Sequence, residues 1–251
     1  MIRGFTLIEL SIVLLIIGLI VAAITAASSL VESARLQSLV SDLQTYERAF
    51  RTFESAYQAY PGDMVNAESY WGSGASGTSN GDGDFDIEYD GFPDNEQMHA
   101  MQQVAKAELL GTDITGTPSV SEGFFRSFCP SIDIHSDGGV LYLTHSGPVF
   151  GVRPTAVHIG RIFDYTGGGS WMPWGAVMTP LQTFQLDEKI DDGIPNKGKL
   201  IAMEGGDSSF TRGVHCLDQD WATASQSTAT SYRLNLTGVN CRALYGIKDY
   251  K

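Results

Sequence analysis

The chain has 251 residues, of which 43% are hydrophobic and 18% charged. That composition supports one or two globular domains and excludes a disordered polymer. Sixteen Lys+Arg against 29 Asp+Glu leave a net charge of −13. A surface of that sign repels phosphate backbones, so direct nucleic-acid binding is not expected, whereas cationic ligands and metal ions are. Glycine, at 28 residues, points to a loop-rich fold rather than a coiled-coil rod, and three cysteines are too few for a disulfide scaffold.

The N-terminus departs from this average. Residues 10–31 carry no charge and are bounded by Glu9 and Glu32. About 20 apolar residues cross a bilayer's hydrocarbon, whereas a secretory signal has an apolar stretch of about 7–15 residues and a small-residue cleavage site behind it. The run is longer than that and continues into further helix, so a membrane helix is expected. Glu9 is its anomaly, because a carboxylate at membrane depth is costly. Either it snorkels to the interface or it serves a function.

Arg3-Gly4-Phe5-Thr6-Leu7-Ile8-Glu9-Leu10, followed by the aliphatic run, resembles the leader of type IV pilins and type II secretion pseudopilins. The resemblance covers about 30 residues and implies several things. A prepilin peptidase cleaves between Gly4 and Phe5, which removes residues 1–4 as a leader peptide, and Phe5 is then N-methylated. Glu9 becomes the fifth mature residue, and its carboxylate pairs with the Phe5 amine of a neighbouring subunit during assembly, which gives a buried charge its counter-ion. The implied fold is α+β and pilin-like. A long N-terminal α-helix, its first half (5–31) membrane-embedded and its second (32–57) amphipathic, packs on a globular head with an antiparallel sheet (58–251).

Beyond the membrane run, Leu36, Leu39, Val40, Leu43, Phe50 and Phe53 recur at helical spacing between polar residues, which predicts a buried face. The helix should stop near Tyr57, ahead of the Pro61-Gly62-Asp63 turn. Residues 72–92 read as a loop. A second helix should follow, capped by Asp94 with Gln97, with Met98, Met101, Ala105 and Leu109 on one face and Gly111 as its stop. Strands are predicted at 140–144, 156–163, 175–178, 199–203 and 232–236. A short helix between the third and fourth opens on the capping box Thr179-Pro180-Leu181-Gln182 and ends near Asp191-Asp192-Gly193. Ala59-Tyr60-Pro61-Gly62-Asp63-Met64, the Asn-Gly-Asp-Gly stretch and Lys189-Ile190-Asp191-Asp192-Gly193-Ile194-Pro195 also resemble segments of large prepilin-like proteins, without assigning an activity.

The acidic loop places oxygens at every second position, at Asn80, Asp82, Asp84 and Asp86, a pattern that can wrap Ca²⁺. Phe85 and Gly91 stand where an EF-hand needs Gly and Glu, so the alternatives are a Ca²⁺ site of another geometry and a solvated turn. Asp187, Glu188, Asp191 and Asp192 form a second acidic group that reads as a plain turn. The resemblance puts the head outside the cytoplasm, where disulfides persist. Pilin-like heads often carry a C-terminal disulfide, which favours Cys216–Cys241 and leaves Cys129 free, although three cysteines allow three single bridges.

No HExxH, GxSxG or P-loop is present. His215-Cys216 as a nucleophile pair is less consistent with the sequence than a disulfide cysteine beside a surface histidine. Trp71, Trp171, Trp174 and Trp221 read as core aromatics rather than a carbohydrate- or peptide-binding surface. The expected function is therefore structural and not enzymatic: a minor pilin or pseudopilin of a type IV pilus or type II secretion filament. Its expected partners are other pilin or pseudopilin subunits, the prepilin peptidase and the inner-membrane assembly machinery. Its expected location is the inner membrane, single-pass with the head in the periplasm, and then a filament in the periplasm or at the cell surface. The alternative is a membrane-tethered periplasmic enzyme or binding module that uses a prepilin-type leader.

Overall fold

The computed structural model describes residues 6–73, 81–83, 87, 96–111, 131–132, 139–145, 155–161, 175–206, 215–218 and 229–247. The chain divides into two units, residues 1–38 and 39–251. Helix α1 (Leu7–Tyr57) begins in the first unit and ends in the second.

Along the first turns of α1 the large apolar side chains face outward: Leu7, Leu10, Leu14, Leu15, Leu19 and Ile24 each expose more than half their surface. The helix is long and apolar enough to cross a membrane. Two of its hydroxyls bond within the helix, Ser11 Oγ donating to the Ile8 carbonyl at 2.8 Å and Ser28 Oγ to that of Ile24 at 3.0 Å. A segment surrounded by hydrocarbon requires that closure of polar groups.

All six residues of the predicted amphipathic stripe are buried. The helix stops because Gln58 turns into the left-handed region, at φ 55°, and its N–H still reaches the Glu54 carbonyl at 2.9 Å. Pro61 then prevents any resumption. Two short helices follow, α2 (Ala67–Trp71) and α3 (Glu96–Lys106). The buried face of α3 runs through Ala100, Met101 and Val104, rotated from the predicted Met98, Met101, Ala105 and Leu109, of which the Met98 side chain lies outside the described residues. Glu108, at φ 58°, ends its last turn ahead of Gly111. The proposed Asp94 cap lies outside the described residues.

The sheet is antiparallel and five-stranded, in the order β1-β2-β3-β5-β4. Its strands are β1 (Ser131–Ile132), β2 (Gly139–His145), β3 (Thr155–Gly160), β4 (Leu200–Glu204) and β5 (Cys241–Gly246). Register places Val157, Tyr245 and Leu200 in one row and His158, Leu244 and Ile201 in the next. Every residue of β3 and β5 is buried, so the sheet centre is covered on both faces. Helix α4 (Pro180–Ile190) packs against β4 and β5, and α3 against β2. Glu47 of α1 accepts from Lys199 Nζ at 2.6 Å and from Tyr245 Oη at 2.7 Å. Arg51 bonds Glu47 at 3.1 Å and the Ile247 carbonyl at 2.8 Å.

The strand predictions need correction in four places, the first being the two-residue edge strand β1, which was not predicted. Residues 175–178 make isolated bridges, Gly175 to Arg161 and Met178 to Cys241, rather than a strand. Residues 232–236 hold one bridge at Tyr232 and then turn. The interior strand β5 was not foreseen, because Cys-Arg-Ala-Leu-Tyr-Gly is short and carries an arginine at its second position.

Candidate functional site

Gly4 and Phe5 lie outside the described residues. Thr6 caps α1: Glu9 N–H donates to Thr6 Oγ1 at 3.3 Å, while Glu9 Oε2 accepts from the Thr6 N–H at 2.8 Å and from its hydroxyl at 2.7 Å. This is a capping box. The spacing Thr6-Leu7-Ile8-Glu9 signals it, although the reading above assigned Glu9 only an intermolecular partner. Both bonds that the Glu9 carboxylate accepts fall on Oε2, so Oε1 takes no part in the cap.

Of the four residues proposed from the acidic loop, Asp82 is described, while Asn80, Asp84 and Asp86 lie outside the described residues. Asp82 meets two carboxylates from elsewhere in the chain. Asp63, Asp82 and Glu96 each bring an oxygen within 4.8 Å of the others, and Asp63 and Glu96 are buried. Main-chain crossing brings them together. The Gly81 N–H donates to the Met64 carbonyl at 3.1 Å, Asp82 N–H to Glu96 Oε1 at 3.2 Å, and Gly83 N–H to Asp63 Oδ1 at 2.5 Å. Gly62 N–H donates to Gln103 Oε1 at 2.7 Å. A Cβ on Gly81 would overlap the Asp63 main chain, and one on Gly62 the Glu96 carbonyl, so both positions require glycine. Neither Asp63 nor Glu96 was singled out as a ligand. The paired Pro-Gly-Asp and Gly-Asp-Gly segments were the available signal for close backbone approach.

The group read as a plain turn is more than a turn. Asp187, Asp191 and Asp192 also bring oxygens within 4.8 Å of one another. The capping box predicted at Thr179 and Gln182 is present and sets the start of α4, which places Asp187 in its last turn, fully buried. Tyr232 Oη donates to Asp187 Oδ2 at 2.5 Å. Asp191 organises the loop into β4. Its Oδ1 accepts the Asp192 N–H at 2.8 Å, and its Oδ2 accepts those of Leu200, at 3.0 Å, and Lys199. Asp192 Oδ1 accepts the Ile194 N–H at 2.9 Å. Burial, and next the neighbouring Asp191, push the Asp187 carboxyl up to about 8, against the pull of the Tyr232 hydroxyl. Burial opposes charge on Asp191 too, but the Asp187 carboxyl and the three main-chain donors hold it below the usual carboxylate range.

Cys216 and Cys241 form a disulfide, which removes Cys216 as a nucleophile. His215 beside it faces Glu204, Nδ1 to Oε1 at 3.6 Å. Cys129 lies outside the described residues. Trp71 is half-buried against Phe53, Tyr57 and Tyr70; the other tryptophans lie outside the described residues. His158 is buried with neither ring nitrogen hydrogen-bonded. Burial, and then the nearby Arg242 charge, hold it well below the usual imidazole range. Comparison of the chain with protein-family models, with curated proteins and with solved structures finds no match.

Proposed function

We propose that the chain is a type IV pilin-like subunit, a minor pilin or pseudopilin, whose work is assembly rather than catalysis. The observation that carries the reading is the first part of α1: an unbroken helix with outward aliphatic side chains and one carboxylate in its first turn. Water would not tolerate that surface over many turns, whereas a bilayer or the packed core of a filament covers it. The residues around Gly4-Phe5 add the motif, and the antiparallel sheet is compatible with a pilin-like head. In this reading residues 1–4 are removed, Phe5 is N-methylated, and the helix is held in the inner membrane with the head in the periplasm until the subunit joins a filament. Glu9 then has two successive partners. Thr6 caps it through Oε2 in the free chain, and Oε1 meets the Phe5 amine of a neighbour.

The test is assembly in the native host. Mature protein should begin at N-methyl-Phe5 by mass spectrometry, a bulky residue at Gly4 should leave uncut precursor in the membrane, and antibody to the head should label sheared filaments. Glu9→Val should reach the membrane as well as wild type, since a costly charge is gone, yet be missing from filaments. Normal cleavage of the bulky Gly4 variant, or wild-type incorporation of Glu9→Val, would overturn the reading and favour a membrane-tethered module.

A further inference from the structure

Three segments of the head meet at one buried carboxyl group. Asp187, in the last turn of α4, accepts from Tyr232 Oη through its Oδ2. The main chain around Tyr232 is pinned to the disulfide loop: Tyr232 bridges to Leu217, and the Arg233 N–H donates to the Cys216 carbonyl at 3.0 Å. Asp187 Oδ1 is out of contact with water and no donor faces it. The group that it meets is the Asp191 carboxylate, which already accepts the N–H groups of Asp192, Lys199 and Leu200. Two carboxylates can hydrogen-bond only through a proton, and the one buried without donors keeps it. The hydrogen therefore belongs on Asp187. Among the described residues no cation pairs with Asp187 instead. Lys199, ahead of β4, gives its ammonium to Glu47 of α1, which also accepts from Arg51 and from Tyr245 of β5. Arg242 of β5 turns its Nε to the Glu204 carbonyl of β4, and His215 faces the Glu204 carboxylate. Asp218 accepts from Thr230 and Ser231, and Glu188, Lys189 and Asp192 are exposed.

We propose that this proton is a clasp. Carried by Asp187 and shared with Asp191, it fastens the end of α4 to the loop entering β4 and to the segment tied to the Cys216–Cys241 disulfide, and its loss in alkaline medium opens the junction. An unfolded aspartate releases its proton near about 3.9, whereas burial holds the Asp187 proton in the folded chain up to about 8. Across that window the folded state binds one proton more than the unfolded one. The stabilisation is complete below the unfolded value, falls as pH rises through the window, and is gone above the folded value. There Asp187, Asp191 and Asp192 are three anions within 4.8 Å of one another, and the bond between Asp187 and Asp191 has lost its hydrogen. Asp191 keeps its main-chain donors, so the part that gives way is the last turn of α4. The clasp stands whether or not the chain enters a filament.

The experiment titrates the full chain in detergent from acid to alkali. The infrared C=O band of a neutral carboxyl group should be present at neutral pH and fade with a midpoint of about 8. It should be missing from Asp187→Asn, whose amide keeps an acceptor for Tyr232 and a donor for Asp191. Relative to that variant, the wild-type folding constant should fall by up to about tenfold per pH unit as pH rises through the window, then level off. Hydrogen exchange at the Lys199 and Leu200 amides, compared between the two proteins at equal pH, should match in acid and be faster in the wild type in alkali. Tyr232→Phe removes a hydroxyl that favours the anion, so in that variant the band should persist to higher pH. The proposal is overturned if Asp187→Asn removes no neutral-carboxyl band, if the two proteins have parallel pH profiles, or if their amide exchange stays equal in alkali. If Asp187→Asn does not fold, the wild type and Tyr232→Phe decide between them: no band at neutral pH, or a midpoint that Tyr232→Phe leaves in place, overturns it.

Discussion

Glu47 ties α1 to Lys199, just ahead of β4, and to Tyr245 of β5 through one carboxylate, and its removal is a sharp test of how the head is held together. Its carboxylate takes the Lys199 ammonium at 2.6 Å, the Tyr245 hydroxyl at 2.7 Å and the Arg51 guanidinium at 3.1 Å, and its side chain is only 14% exposed. A hydrogen bond to a charged group contributes about 1.5–3 kcal/mol, while pairs with exposed Lys or Arg add at most about 1 kcal/mol. Lys199 and Arg51 are 35% and 45% exposed, so water can recover much of their loss, whereas the buried Tyr245 hydroxyl cannot replace its acceptor. Glu47→Ala should therefore cost about 2–3 kcal/mol. At about 2–4 °C per kcal/mol for a domain of this size, the melting temperature should fall by roughly 5–10 °C. Glu47→Gln keeps an acceptor and should cost about half as much. Although burial opposes its charge, these partners hold the Glu47 carboxyl below the usual range. Its contribution is thus complete above the unfolded carboxylate value of about 4.3 and fades as pH falls through the lower folded one. Denaturant melts of the full chain in detergent, with a Glu47→Ala/Tyr245→Phe double-mutant cycle, measure both quantities. A loss under about 0.5 kcal/mol, or no coupling in the cycle, would refute the argument.

Replacing Cys216 and Cys241 together by alanine opens a loop spanning 25 residues and should cost about 3–4 kcal/mol, read as a drop in denaturation midpoint that reducing agent reproduces in wild type. His158, with its folded value well below 6.5, remains neutral while the unfolded histidine takes a proton. Stability should therefore decline as pH drops below about 6.5, by at most about 1.4 kcal/mol per unit. His158→Leu should flatten that slope between pH 6.5 and 5, and an unchanged slope would place the titration elsewhere. If the loop of Asn80, Asp82, Asp84 and Asp86 binds Ca²⁺, the ion at a hundredfold excess over its dissociation constant should add about 2.7 kcal/mol. Asp82→Ala with Asp84→Ala should then shrink the calcium-dependent rise in melting temperature, and a rise of wild-type size in that variant would return the loop to a solvated turn.

How far these features could be read in advance depended on whether the signal was local. The stripe from Leu36 to Phe53, the stop before Pro61 and the Thr179–Gln182 cap are each written within one or two helical turns, and the structure has all three. Strand β5 was missed because its burial comes from pairing with β3 and β4 on either side, and a strand that holds Arg242 lacks the apolar run that advertises a sheet centre. Residues 175–178 and 232–236 have strand composition but only single bridges, since a run of β-formers needs a ladder partner to become a strand. The acidic groups were visible as runs, yet their membership was not. Asp82 is joined by Asp63 and Glu96, 19 and 14 positions away in sequence, through a main-chain crossing that only the glycines foretell. The inward turn of Asp187 follows from where α4 begins, and so could have been counted from the cap.

The strand order also carries a schedule. Residues 241–246 occupy the slot between β3 and β4, so during synthesis both neighbours must wait, with open edges, until that stretch has been made. Unpaired edges invite wrong partners, and pairing over so many intervening residues is slow to nucleate. The apolar start of α1 leaves the ribosome some two hundred residues before the sheet can close. Whatever receives that helix therefore handles a chain whose head is still open, and any truncation upstream of Cys241 removes the strand that would have shut it.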